Sequence, residues 1–212
     1  MVNDYRVTKY EKEYEKITEK KQLLKIEIKK DKPKVIDFHT YISDNDGPYK
    51  IKFMNIYNSK CAYCGISIDI IPKTFFEIDH FIYQKSPQFA TKKDAGFVEN
   101  LVLACHYCNH RKRGFLISGE VYDSLYPDGE KIKETFGRDE NFYIKVSEKG
   151  NPVVEQFYSQ LGMGDELRRI DYLLMNILGL EKKLRQAGFA EAYMKIDELY
   201  KFLIKKRNEF EV

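Results

Sequence analysis

Two periods of apolar and polar residues succeed one another along this chain, and each change of period marks a new element. Near the start, Tyr10, Tyr14 and Ile17 recur at helical spacing and predict a helix over 11–21. Leu24, Ile26 and Ile28 then lie on one side with Lys25 and Glu27 on the other, an alternation that also suits a strand. Residues 44–48, Asp-Asn-Asp-Gly-Pro, read as a turn. Pro48 can open a helix, which Ile51, Met54, Ile56 and Tyr57 carry to about residue 58. Ile66, Ile68 and Ile70 alternate with Ser67 and Asp69 up to the break at Pro72-Lys73. Residues 74–78 predict a strand that ends at Asp79-His80. Residues 84–98 are polar and irregular, a loop carrying Lys85, Lys92 and Lys93. A short apolar piece over 101–104 precedes a helix over 108–113, which Gly114 is expected to end.

The second half is less clearly punctuated. Residues 115–126 show no decisive period, and Pro127-Asp-Gly129 is a turn. Phe142, Ile144 and Val146 alternate with Tyr143, Lys145 and Ser147 as in a strand. After a turn over 149–152, Val153-Val154 begins either a return strand or a helix. Leu167, Ile170, Leu174 and Ile177 predict a helix over 165–178, and Phe189, Tyr193, Ile196, Tyr200 and Leu203 a final one. The stripe on that last helix is expected to pack against this same protein. The elements group into an accessory segment over 1–47, a core over 48–118 and a mainly helical extension over 119–212.

Composition narrows the class. At 212 residues the simplest expectation is one core with additions at both ends. Apolar residues at 43% and charged residues at 33% exclude a disordered chain. The net charge of +3 is too small to be a nucleic-acid footprint in itself; only a local cluster would be one. No apolar run approaches the length of a membrane span, and the N-terminal residues lack the apolar stretch of a signal peptide, so a cytoplasmic protein is expected. In that compartment paired cysteines argue for metal rather than disulfides.

All four cysteines fall between residues 61 and 108, as Cys61-Ala-Tyr-Cys64 and Cys105-His-Tyr-Cys108. Two such pairs present four thiolates from two short loops, the donor set of a structural Zn²⁺, and Gly65 suits the tight turn of the first. A redox dithiol would need one pair alone. A site filled by four cysteines keeps no open position for substrate, so reaction chemistry must lie elsewhere. Asp79-His80 lies between the pairs. Asp79 is a hard oxygen ligand suited to Mg²⁺ or Mn²⁺, and His80 can be neutral near pH 7 and take a proton from water. Asn109 follows the last cysteine into the helix, where its side-chain oxygen can reach the same ion. Arg111, Lys112 and Arg113 form a positive run that a polyanion lying across the helix would meet, with His110, Lys92 and Lys93 as further contacts. His106 is expected to be a surface or structural residue, and His39 is remote in sequence.

The order C-x-x-C, Asp-His, Asn-Leu, C-x-x-C-Asn-x-x-Lys resembles the HNH endonuclease family over about residues 50–115. The resemblance implies an α+β fold with a ββα-metal core stapled by a four-cysteine zinc. It implies a metal-dependent nuclease that leaves 5′-phosphate and 3′-hydroxyl ends. Asp79 then matches the metal-binding acid, His80 the general base and Asn100 the asparagine that positions the catalytic loop. Asn109 stands at the last letter, where His is commoner, and Lys112 matches a lysine read as a phosphate contact. The resemblance favours DNA over RNA. It extends to stand-alone and phage-defence members, some of which work beside an ATPase, so residues 116–212 are a candidate docking surface for such a partner or a second copy. The competing reading is a zinc-stapled nucleic-acid-binding module without cleavage, and beside it a partner-binding protein with a degenerate core.

Overall fold

A computed structural model describes residues 4–45, 47–147 and 150–210. Met1 to Asn3, Asp46 in the turn expected over 44–48, and Lys149 in the turn expected over 149–152 lie outside the described residues. After an irregular N-terminal segment comes helix α1, Ile17–Asp31. Ile17, Lys21, Leu24 and Ile28 are its buried face, at spacings of four, three and four. The strand-like alternation at 24–28 is therefore part of a helix, and Ile26, two residues off the buried line, is 64% exposed. The expected helix over 11–21 begins six residues later, after Lys16 in the left-handed region.

Two helices follow, α2 (His39–Ile42) and α3 (Pro48–Ile56), the second opened by Pro48 where a fixed φ and a missing N–H cost nothing. The chain then makes the Cys61–Cys64 turn and enters β1, Phe76–His80. A 20-residue connection with short 3₁₀ turns leads to β2, Leu101–Cys105, and directly into α4, His106–Lys112. The strands are antiparallel, with Ile78 opposite Leu103 and His80 opposite Leu101. Every residue of β2 is buried, so both its faces are covered and no alternation is visible in its sequence. Helix α4 starts two residues before the expected 108, and it ends on Arg113 (φ 45°) rather than on Gly114.

Short helices α5 (Tyr122–Leu125) and α6 (Ile132–Thr135) lead into a second antiparallel pair, β3 (Phe136–Arg138) and β4 (Ile144–Val146). Val153-Val154 opens a helix, α7 (Pro152–Gln160), because Asn151 caps it by accepting from the Val153 and Val154 N–H groups. Helices α8 (Glu166–Gln186) and α9 (Ala190–Asn208) form a hairpin. The first half of α8 is seated on the core through Leu167, Ile170, Leu174 and Met175. Beyond Met175 no residue of the hairpin is buried until Arg207. The Tyr193, Ile196, Tyr200 and Leu203 stripe is half-buried against α8, whereas Phe189 and Phe202 are exposed.

One apolar cluster draws on all three parts of the sequence, from Tyr5, Ile17 and Phe38 through Phe53, Phe76 and Leu103 to Phe136, Phe157 and Leu161. The N-terminal segment caps the first cysteine turn. The Tyr5, Arg6 and Tyr14 side chains donate to the carbonyls of Tyr63, Ala62 and Cys61 at 2.7, 2.7 and 2.9 Å. Among the described residues no helix is long and apolar enough to cross a membrane.

Candidate active site and metal centre

The first cysteine turn is closed by Gly65 N–H on the Cys61 carbonyl and by Cys61 N–H on the Ile66 carbonyl, both at 2.9 Å. Gly65 has φ +81°, and a Cβ there would stand 2.2 Å from the Arg6 carbonyl oxygen, so only glycine fits. The second pair needs no turn of its own. Cys105 ends β2 and Cys108 sits in the first turn of α4, which brings both sulfurs to the same side. The four buried Sγ atoms lie within 4.8 Å of one another, with Cys64 and Cys105 at 3.8 Å. A tetrahedron of Zn–S bonds of about 2.3 Å places sulfurs about 3.8 Å apart. The donor set and its spacing fit a four-coordinate zinc. Burial, followed by hydrogen bonds with the other three cysteines, pushes the Cys108 thiol up, so the thiolate form needs a cation.

The polar residues of β1 face two ways. Glu77 and Asp79 point toward α4 and meet its residues at steps of three: His106 and Asn109 on Glu77, Lys112 on Asp79. His106 Nδ1 lies 2.6 Å from Glu77 Oε1, and the Asn109 amide donates to Oε2. Burial raises Glu77, but these hydrogen bonds outweigh it and hold the carboxyl below its ordinary value. Lys112 is fully buried, with Nζ at 2.9 and 3.1 Å from the two Asp79 oxygens and 2.9 Å from the His80 carbonyl. The Tyr63 hydroxyl donates to Asp79 Oδ2 at 2.7 Å. The expectation of Lys112 as a solvent-facing phosphate contact is therefore corrected: the helix register turns it inward, and a buried ammonium requires this carboxylate.

His80 faces the other side. Its ring stacks on His39 of α2 at 4.4 Å between centroids and 26° between planes. The His39 ring is itself held at Nε2, 3.0 Å from the Ile78 carbonyl oxygen. Burial, then the neighbouring His39, lowers His80 from 6.5 to about 4, so the imidazole is neutral at physiological pH. Asn100 is buried behind the loop that follows His80. It accepts from Ile82 N–H at 2.8 Å and donates to the Ile82 and Ala95 carbonyls at 3.0 and 2.9 Å.

The sequence candidates thus fall into three groups. Cys61, Cys64, Cys105 and Cys108 converge. Asp79, Asn109 and Lys112 share one face of the β1–α4 contact, and His80 and Asn100 hold the end of β1 and its loop. Asp79 and Asn109 are oxygen donors suited to a hard cation; in this arrangement the Asp79 oxygens accept from Lys112 and Tyr63, and Asn109 is oriented by its amide N–H on Glu77. The positive run fans out, as residues 100° apart on a helix must. Arg111 pairs with Asp165 at 2.9 Å, and Arg113 lies against His110. His110, Arg111, Arg113, Lys92 and Lys93 are exposed. Three residues that touch this site had no signal in the sequence: His39, Tyr63 and Arg168, the last of which reaches the cysteine sulfurs from α8.

No curated protein and no solved structure matches this chain. Residues 61–114, about a quarter of its length, match the family model described as HNH endonuclease. That stretch runs from Cys61 through β1 and β2 to the end of α4, and over it the chain is similar to the HNH endonuclease family.

Proposed function

We propose that the protein is a nuclease that hydrolyses phosphodiester bonds, with DNA as its substrate and His80 as general base. The observation that carries this reading is the placement of His80. It ends β1, stacked on His39 and followed by a loop that Asn100 pins, and burial leaves its imidazole neutral and so able to accept a proton. A ring nitrogen of His80 accepts the proton of the attacking water. His39 holds the imidazole plane by stacking, and Asn100 fixes the backbone that leaves His80. Asp79 and Asn109 are the residues that would hold Mg²⁺ or Mn²⁺, with the Lys112 ammonium giving up the Asp79 oxygens; they lie on the opposite face of β1 from His80, and the two sides would serve one phosphate at the end of the strand, where His80 is its last residue. A divalent cation supplies the charge that stabilises the phosphate oxygens as the P–O bond breaks. Exposed His110, Arg111, Arg113, Lys92 and Lys93 offer charge to the backbone of the nucleic acid.

The test is cleavage of supercoiled plasmid in EDTA, Mg²⁺ and Mn²⁺ by the wild type and His80→Ala. Nicking or linearisation that needs the cation and falls by about 10²- to 10⁴-fold in the variant, with zinc content unchanged, is the expected result. Equal cleavage by both proteins would refute the assignment of the base. The second reading, a zinc-stapled binding module, is favoured by one observation, the capture of Asp79 by Lys112 and Tyr63. Plasmid retained in a mobility shift but left intact with every cation would favour it.

A further inference from the structure

Arg168 lies in the first turn of α8, 60 residues from the nearest cysteine in sequence, yet its guanidinium covers the cysteine cluster. Nη2 is 3.1 Å from Cys108 Sγ, and Nη1 is 3.4 Å from Cys64 Sγ and 4.0 Å from Cys105 Sγ. One face of the group rests on the Tyr107 ring at 4.2 Å. Arg168 is 2% exposed. A buried guanidinium is costly unless negative charge stands against it. The nearest carboxylate, Asp171, is 3.8 Å away and bonds the Arg207 Nε at 2.7 Å through its other oxygen. Four neutral thiols offer no charge. Four thiolates around Zn²⁺ carry a net charge of −2, and Arg168 is the cation placed to offset part of it.

We propose that Arg168 is a positioning residue of the metal centre: bonded to three of its sulfurs, it holds the thiolates for zinc and ties the α8–α9 hairpin to the nuclease domain through the metal. This rests on the reading of the four cysteines as a zinc site. Each N–H···S bond withdraws charge from a thiolate and fixes its direction, and partners of this kind have large effects on metal affinity. Arg168 extends into Asp171 and then Arg207 near the end of α9, so both helices of the hairpin hang on one chain of charges that ends at the sulfurs. The C-terminal extension is then a lid on the metal centre as well as a surface.

Zinc in the purified wild-type protein is measured first; its absence overturns the metal site and this proposal with it. With zinc present, affinity is read by competition with a colorimetric chelator in the wild type, Arg168→Gln and Arg168→Lys. A loss of about 10- to 100-fold is expected in Arg168→Gln and a smaller loss in Arg168→Lys. The same proteins loaded with Co²⁺ give the discriminating reading. Losing N–H···S bonds makes the sulfurs easier to oxidise, so the thiolate-to-metal charge-transfer band moves to lower energy, which lost packing alone would not cause. Where Arg168→Gln folds too poorly to hold metal, Arg168→Lys, which keeps the charge and one donor group, carries both readings. Wild-type zinc affinity in the variant, or an unmoved band, overturns the proposal.

Discussion

At His80 the fold sets a proton affinity that the free side chain does not have. Burial beside His39 lowers it from 6.5 to about 4, which favours the neutral ring in the folded protein. Below pH 6.5 the unfolded chain binds a proton at this position and the folded one does not. Stability is therefore constant with respect to this group above pH 6.5 and falls as pH drops from 6.5 toward 4, by up to about 3 kcal/mol. Urea unfolding across that window in metal-replete protein reads the slope. The slope should flatten in His80→Asn, and an equal slope in that variant would place the effect elsewhere. His80 itself was legible as a candidate because Asp-His sits between the two cysteine pairs. Its partner was not, because His39 lies 41 positions earlier and only the fold of α2 onto β1 makes them neighbours. Lys112 was legible as a charge but not as a buried one. Burial there depends on which face α4 turns to Asp79, and a run of three cations does not encode that.

At the scale of elements, the ββα unit depends on how the connection from β1 to β2 is closed. Asn100 ties its two ends together, since Ile82 follows His80 directly after Phe81 and Ala95 lies shortly before β2. Phe81 N–H also donates to the Asn100 carbonyl at 2.7 Å. Asn100→Ala removes the side-chain partner of one N–H and two carbonyls in a site with little access to water. At about 1–3 kcal/mol for each of the three groups left unpaired, a loss of at least about 3 kcal/mol is expected at fixed zinc occupancy. Cleavage should fall too, because the loop after His80 loses its anchor; a variant with wild-type unfolding midpoint would remove Asn100 from this role. The elements themselves were unevenly readable. β1 was legible from its break at Pro72 and its end at Asp79-His80. The alternation at residues 24–28 left helix and strand open because two of its three positions, Leu24 and Ile28, are four apart and also share a helix face; the partners of Lys21 on that face, Asp128 and Tyr57, lie far along the chain. Val153-Val154 was open between strand and helix, and Asn151 decided it through a cap that the turn before Pro152 already contained.

Across the whole molecule, the four cysteines are the point to which both ends of the chain are fastened. Tyr5, Arg6 and Tyr14 bind the carbonyls of the first cysteine turn, and Arg168 binds the sulfurs from the other end. A metal held by these four sulfurs would shape Cys61 to Cys64, join it to the start of α4, and so support the N-terminal segment, the ββα unit and α8 together. Structural zinc contributes on the order of 10 kcal/mol in small zinc domains, comparable to the whole stability of an ordinary domain. Removing it should not loosen one loop; it should unfold the protein in one cooperative step. Cys108→Ala, which deletes one ligand and leaves the other three sulfurs buried, should behave like the chelated wild type. Thermal melting followed by circular dichroism, with zinc content measured on the same samples, checks this. A metal-free protein that melts where the loaded one does would show that the aromatic and aliphatic cluster from Tyr5 to Met163 holds the fold without the centre. A melt that splits in two on zinc removal, with the α8–α9 helices leaving first, would show that the hairpin alone depends on it.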